Sequence, residues 1–241
     1  MEIKNLEKAA QRIKTAIQNK KRIILYGDGD LDGITSVIIL KEAIENLNGK
    51  VPAVYFPDRE LEGYGLSKKG LEYLKQFAPA LLIVLDCGIT NFEEIKIGKK
   101  IGFEIIVIDH HQVLDKPPEA DIIVNPQQKD DPYPFKGLAT AGIVFKLAEK
   151  LLGDKMSPLL RDNFLELVAL ATLADMMPQK EENIVFISEG LEAIKHSWRP
   201  AIIAFKEADC FKKIPTLKER VSKFISILNI RNLENNLLPP F

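Results

Sequence analysis

Three apolar, β-branched runs in this chain each end in acidic or imidazole side chains, and that recurrence constrains the fold more than any other feature. Arg22 to Tyr26 leads into Gly27-Asp28-Gly29-Asp30-Leu31-Asp32-Gly33. Leu81 to Leu85 leads into Asp86-Cys87-Gly88, and Glu104 to Ile108 leads into Asp109-His110-His111. Short continuous apolar runs of this kind suit strands buried on both faces. Val51 to Phe56 and Asp121 to Val124 add two more. Helical patterns alternate with them: Leu6 to Asn19, Ile34 to Asn46, Ser67 to Phe77 and Phe92 to Lys100, then Leu138 to Leu152, Pro158 to Leu173 and Asn183 to Ile194. The alternation predicts an α/β fold, a Rossmann-like, mostly parallel sheet of about five strands flanked by helices, with a helical C-terminal extension. Ligands of such a sheet gather beyond the carboxyl ends of its strands, where the acids and histidines lie.

Length and charge refine this. With 241 residues, the chain predicts one large domain, residues 1–194, and a basic extension, residues 195–241. Residues 1–22 carry seven basic and two acidic side chains, and residues 195–233 carry nine and three. Residues 23–194 carry 17 basic and 28 acidic side chains. An acidic centre between basic ends suits a protein whose carboxylates hold cations, although solvated helix faces give the same count. No apolar stretch approaches the roughly 18 residues that span a bilayer, and no signal core follows Met1. Two cysteines, Cys87 and Cys210, form no disulfide framework, so a cytoplasmic location is expected.

Each motif admits more than one chemistry. Asp28-x-Asp30-x-Asp32-Gly33 begins like a calcium loop, but the twelfth position, where a bidentate Glu belongs, is Ile39. A dinucleotide loop is excluded by the glycine spacing and by three carboxylates that would repel a pyrophosphate. Asp30 and Asp32 also fit the nucleophile loop of haloacid-dehalogenase-type phosphatases. One of these acids is expected to cap the helix that follows. Thr90 and Asn91 are better placed than Asp86 to cap the next helix, which leaves Asp86 for other work. Two of the three histidines are adjacent, at His110 and His111. Alternation along an extended segment predicts that they point to opposite sides, one toward a metal and one toward a substrate, with Asp109 orienting a ring. Asp175 ends the apolar stretch Leu167 to Ala174, and a carboxylate carried to the edge of a buried helix needs a partner.

Taken in order, these segments and Ala174-Asp175 resemble the four motifs of the DHH phosphoesterase superfamily. The connecting segments are similar to the RecJ group of single-strand exonucleases. They are Arg59-Glu60-Leu61-Glu62-Gly63-Tyr64-Gly65-Leu66, Asp86-Cys87-Gly88-Ile89-Thr90, Val124-Asn125-Pro126, Asp131-Pro132-Tyr133-Pro134-Phe135 and Leu170 to Asp175. The likeness runs from about residue 22 to 192. It implies that Asp28 and Asp30 hold a first metal with Asp86 bridging, and that Asp32, His110 and Asp175 complete a second. His111 would contact the phosphate, supported by Asp109. Many superfamily members carry a histidine where this chain has Tyr26, so Asp28 must substitute. The family's companion C-terminal substrate domain is not recognisable in residues 195–241.

The resemblance further implies two divalent cations, Mn²⁺ preferred and Mg²⁺ possible, consistent with a carboxylate and imidazole donor set. They would activate water for in-line attack on phosphorus. The expected substrate is single-stranded DNA or RNA, cut from the 5′ end. Short oligonucleotides or cyclic dinucleotides are the alternative, and a non-catalytic scaffold is another. Arg59 and Lys136 are expected phosphate contacts, and Tyr64 is either a stacking platform for a base or a packing anchor.

Overall fold

The computed structural model of the protein describes residues 1–208, 214 and 216–228; Cys210 and the end of the predicted extension lie outside the described residues. Five parallel strands, β1 (Ile23–Gly27), β2 (Ala53–Tyr55), β3 (Ala80–Leu85), β4 (Phe103–Ile108) and β5 (Ile122–Val124), form one sheet in the order β2-β1-β3-β4-β5. The helices between them are α1 (Leu6–Gln18), α2 (Leu31–Asn46), α3 (Lys68–Leu74) and α4 (Phe92–Ile101). Then follow α5 (Thr140–Leu152), α6 (Pro158–Ala174), α7 (Glu182–Ile194), α8 (Pro200–Glu207) and α9 (Leu217–Leu228). All four strand pairings are parallel, as predicted.

Alternating side chains of the strands feed two cores. Ile23, Leu25, Leu81, Ile83, Leu85, Ile106 and Ile108 pack with α1, α2, α5 and α6. Ile24, Tyr26, Leu82, Val84, Ile105 and Val107 pack with α3 and α4 on the opposite face. A third cluster joins α8 and α9 to the body: Ile202, Phe205, Val221 and Phe224 meet Leu31, Leu170 and Ile194. Beside it, Arg199 donates to Glu166 at 2.7 Å and to Glu42 at 2.8 and 3.0 Å. Glu166 is fully buried, so this ion pair fixes the start of α8 on α6 and α2. Among the described residues no helix is long and apolar enough to cross a membrane.

The sheet register sets up the site. Gly27 pairs with Leu85, and Leu85 with Ile108, so the residues just beyond them stand side by side. The ladder runs one residue further on each strand. Asp28 N–H donates to Leu85 C=O at 3.1 Å, Asp86 N–H to Ile108 C=O at 3.0 Å and Asp109 N–H to Val124 C=O at 3.1 Å. Three acids are thereby fixed on three neighbouring strands, at the place where the order of connections reverses between β1 and β3.

Candidate metal and phosphate site

The β1–α2 turn brings in Asp30 and Asp32. Helix α2 begins at Leu31, three residues before the sequence pattern predicts, because the Asp30 carboxylate caps it by accepting from Gly33 N–H at 3.0 Å. Gly33 allows the turn to close this tightly, since a Cβ there would lie 2.3 Å from the Asp28 carbonyl oxygen. Asp32 works differently. It is buried, and it accepts from the N–H groups of Thr140 (2.7 Å) and Ala141 (2.8 Å) at the start of α5. Residue Ala139 in the capping position of α5 offers no side-chain acceptor, so Asp32 satisfies donors that the helix cannot satisfy itself.

Asp86 is buried and sits at φ +61°, a left-handed conformation that costs energy for a residue with a Cβ. Its Oδ1 accepts from Thr140 Oγ1 at 2.9 Å. At the far edge, fully buried Asp109 accepts from Ile89 N–H, His110 N–H, His111 N–H and His111 Nδ1, the last at 2.7 Å. Asn125 holds the same turn by donating to His111 C=O at 2.9 Å. Beyond the end of β4 the alternation of side chains lapses. The rings of His110 and His111 therefore lie 4.5 Å apart, centroid to centroid, and do not point to opposite sides as the sequence pattern suggested. They differ in exposure instead: His110 is 9% exposed and His111 54%.

These elements bring donor atoms within 4.8 Å of one another in three groups: Asp28, Asp30 and Asp86; Asp32, His110 and Asp175; Asp86, His110 and His111. Asp86 and His110 belong to more than one group, so the clusters form a single patch. The electrostatics are those of crowded anions. Burial raises Asp32 to about 7, and the Asp30 charge adds to it. Burial, followed by the charges of Asp32 and Asp30, lifts Asp86 well above the ordinary carboxylate range. Burial also raises Asp175, against the pull of His110. As the C-cap of α6, Asp175 further opposes the negative end of a helix dipole. Asp30 is lowered instead: burial pushes it up, but Arg59 and the Gly33 N–H outweigh that.

A cation resolves this arrangement. Among the described residues His110 Nε2 is buried without a hydrogen-bond partner, yet carboxylate oxygens of Asp175, Asp86 and Asp32 surround it at 3.2, 3.5 and 3.9 Å. Burial and the neighbouring His111 hold its pKa down, which favours the neutral ring that ligates metals. Acids crowded around an imidazole nitrogen that itself has no hydrogen-bond partner fit a divalent ion of the Mg²⁺ or Mn²⁺ type.

The remaining predicted residues separate. Arg59 lies at the patch, with Nη2 2.5 Å from Asp28 and 2.7 Å from Asp30. Its guanidinium carbon is 4.7 Å from the centre of the Tyr64 ring, which is 78% exposed rather than packed. Asp28, Tyr64, Gly88, Asp109 and His111 line a cleft of about 240 Å³. Lys136 is committed elsewhere, donating to the Asp131 carbonyl at 2.9 Å and its carboxylate at 3.3 Å. Tyr26 stays out of the patch: its hydroxyl donates to Gly65 C=O and accepts from Ser67 N–H, fixing the loop that carries Tyr64. Asn91 stands at the start of α4 as expected but does not cap it; its Oδ1 accepts from Leu66 N–H instead. Thr140 was missed by the sequence reading. The signal for it is a helix that opens on Ala139-Thr140-Ala141 with no acid or serine before it.

A model of the DHH family, N-terminal domain, matches residues 22–172. The chain belongs to the DHH family. That membership removes the haloacid-dehalogenase reading of Asp30 and Asp32. Among DHH relatives, the single-stranded-DNA-specific exonuclease RecJ of Bacillus subtilis is 38% identical over 198 residues, 82% of this chain and 24% of that protein. RecJ of Escherichia coli is 32% identical over 218 residues, 86% of this chain and 38% of that protein. The chain thus spans between about a quarter and two-fifths of the length of these relatives. A crystal structure of exonuclease RecJ bound to manganese superposes with a TM-score of 0.83 at 28% identity, covering 95% of this chain and 57% of that one. RecJ of Thermus thermophilus in complex with Mn²⁺ gives 0.77 at 26% identity, covering 95% and 33%.

Proposed function

We propose that this DHH domain is a metal-dependent phosphoesterase that hydrolyses phosphodiester bonds of single-stranded nucleic acid from a 5′ end. The observation that carries the reading is the buried, partnerless His110 Nε2 ringed by Asp32, Asp86 and Asp175. In this reading Asp28, Asp30 and Asp86 hold one divalent ion, and Asp32, His110 and Asp175 hold a second, with Mn²⁺ preferred and Mg²⁺ accepted. When bound, the ions supply an activated water and neutralise charge on the phosphoryl oxygens.

The protein's own side chains do the rest. Asp109 fixes the His111 ring through Nδ1 and raises it to about 9. That bond orients the half-exposed ring so that its other nitrogen faces outward to donate to a phosphoryl oxygen, a contact strengthened by the anion's charge. Arg59, paired with Asp28 and Asp30 in the metal-free protein, supplies a second cationic contact once those carboxylates hold an ion, and Tyr64 a face on which a base stacks. Their mutual packing at the open rim of the cleft supports this pairing. Lys136 is left out, because its ammonium is already held by Asp131.

The test is hydrolysis of 3′-labelled single-stranded DNA and RNA, and of cyclic dinucleotides, by the chain in Mn²⁺, Mg²⁺ or EDTA. Shortening of the DNA in Mn²⁺ but not in EDTA is expected, together with its loss in Asp86→Ala. Full activity of Asp86→Ala, or turnover in EDTA, would overturn the two-ion assignment. Turnover confined to cyclic dinucleotides would replace the substrate while keeping the chemistry.

A further inference from the structure

One buried residue touches acids of both proposed ion groups. Thr140 opens α5; its backbone N–H donates to Asp32 at 2.7 Å and its hydroxyl donates to Asp86 at 2.9 Å. Asp32 and Asp86 lie 108 and 54 residues away in sequence and belong to different clusters. A threonine inside a helix usually turns its hydroxyl back onto the carbonyl one turn earlier. Thr140 is the first residue of α5, so no preceding helical turn competes, and the hydroxyl reaches outward to Asp86. The β-branch restricts χ1, and full burial of the residue leaves the hydroxyl little room to leave. Asp86, in contrast, rotates about a soft terminal torsion and faces acids that repel it. A fixed donor on Oδ1 selects one orientation.

We propose that Thr140 is a positioning residue that sets the Asp86 carboxylate for cation binding and ties it to Asp32 through the start of α5. The inference rests on the ion reading above. Partners that orient metal ligands typically change metal affinity by about 10- to 100-fold when removed. Thr140→Val keeps the shape, the β-branch and the backbone N–H to Asp32, and deletes only the hydroxyl.

Isothermal titration of the metal-stripped chain with MnCl2 alone tests this, alongside urea unfolding in EDTA. Thr140→Val should bind Mn²⁺ at least about 10-fold more weakly while still unfolding in one cooperative metal-free transition. Thr140→Ser, which restores the donor, should recover most of the affinity; a loss caused by packing alone would not be rescued by the smaller serine. Should the valine variant not fold, Thr140→Ala against Thr140→Ser gives the same comparison. Wild-type affinity in both hydroxyl-free variants, or a serine variant as weak as they are, overturns the inference and leaves the ion reading standing. Absence of Mn²⁺ binding by the wild-type chain overturns both.

Discussion

Stripped of divalent ions, this protein should lose stability as the pH rises from about 4 to 7, the reverse of what ordinary ion-paired carboxylates do. The source is Asp32, whose ordinary value of 3.8 is raised to about 7 by burial and by the charge of Asp30. Across that interval the folded protein keeps a proton that the unfolded chain has released. Stability falls with pH wherever the folded state holds more protons, so the sign is negative. Roughly three pH units at about 1.4 kcal/mol each give about 4 kcal/mol, a large part of the roughly 5–15 kcal/mol of a typical domain. Asp86, raised by burial and by the charges of Asp32 and Asp30, adds to the loss in the same sense. Glu104 acts in the opposite sense but below this window. Arg12 and Lys21 lower it to about 2, so its contribution is in place above its unfolded value and fades only as the pH falls toward 2. His111 prolongs the decline. Its hydrogen bond to Asp109 raises it to about 9, so that contribution is complete below about 6.5 and lost as the pH rises through 9, reduced by water at a half-exposed ring. Ions held by the carboxylates cancel the repulsion, so Mn²⁺ should stabilise far more at pH 8 than at pH 5. Urea unfolding followed by circular dichroism, in EDTA and in MnCl2 across this range, measures both effects. A metal-free stability that is flat or rising between pH 5 and 7 would refute the electrostatic account, as would equal stabilisation by Mn²⁺ at pH 5 and 8.

Three further outcomes follow from the packing. Arg199→Met strands the fully buried Glu166 and the partly buried Glu42 and should cost about 3–5 kcal/mol in urea unfolding; a loss below about 1 kcal/mol would mean that solvent reaches the pair. Gly190→Ala places a Cβ 2.2 Å from the Leu165 carbonyl oxygen and 2.5 Å from Ala169 Cβ. It should separate α6 from α7 and lower stability by about 1–3 kcal/mol, and an unchanged thermal midpoint would show that α7 can shift freely. Tyr26→Phe removes the one hydroxyl that serves both the Gly65 C=O and the Ser67 N–H and leaves each without it. A cost of about 1–3 kcal/mol and faster hydrogen exchange at Ser67 are expected, and unaltered exchange there would show that the loop is held by other groups.

What could be foreseen from sequence alone divides along a physical line. Strand and helix positions follow from local periodicity, and the residue after each strand of a parallel sheet is carried to the same edge whatever the loops do. Asp28, Asp86 and Asp109 were therefore foreseeable as neighbours. Asp175 was foreseeable as an anomaly, because an acid at the C-terminus of a buried helix opposes the dipole and needs a positive partner. The choice of partner is a different matter, since it depends on which donors arrive from remote segments. Asn91 has the position and chemistry of a cap, but the Leu66 N–H, 25 residues away in sequence, takes its oxygen. Asp32 looks like a first-turn acid of its own helix and instead caps α5. Arg59 reads as a phosphate contact by charge alone, yet the close approach of its loop to Gly29 sets it against Asp28 and Asp30. The histidine pair failed for a local reason: alternation holds only while the ladder holds, and β4 ends at Ile108. Thr140 combines all of these difficulties, because neither of its two partners lies on its own helix: Asp32 sits in the first turn of α2 and Asp86 just beyond β3. Its hydroxyl acquires meaning only once α5 has docked against α2 and the sheet, so residues of this kind have to be sought among the hydrogen bonds of the assembled edge.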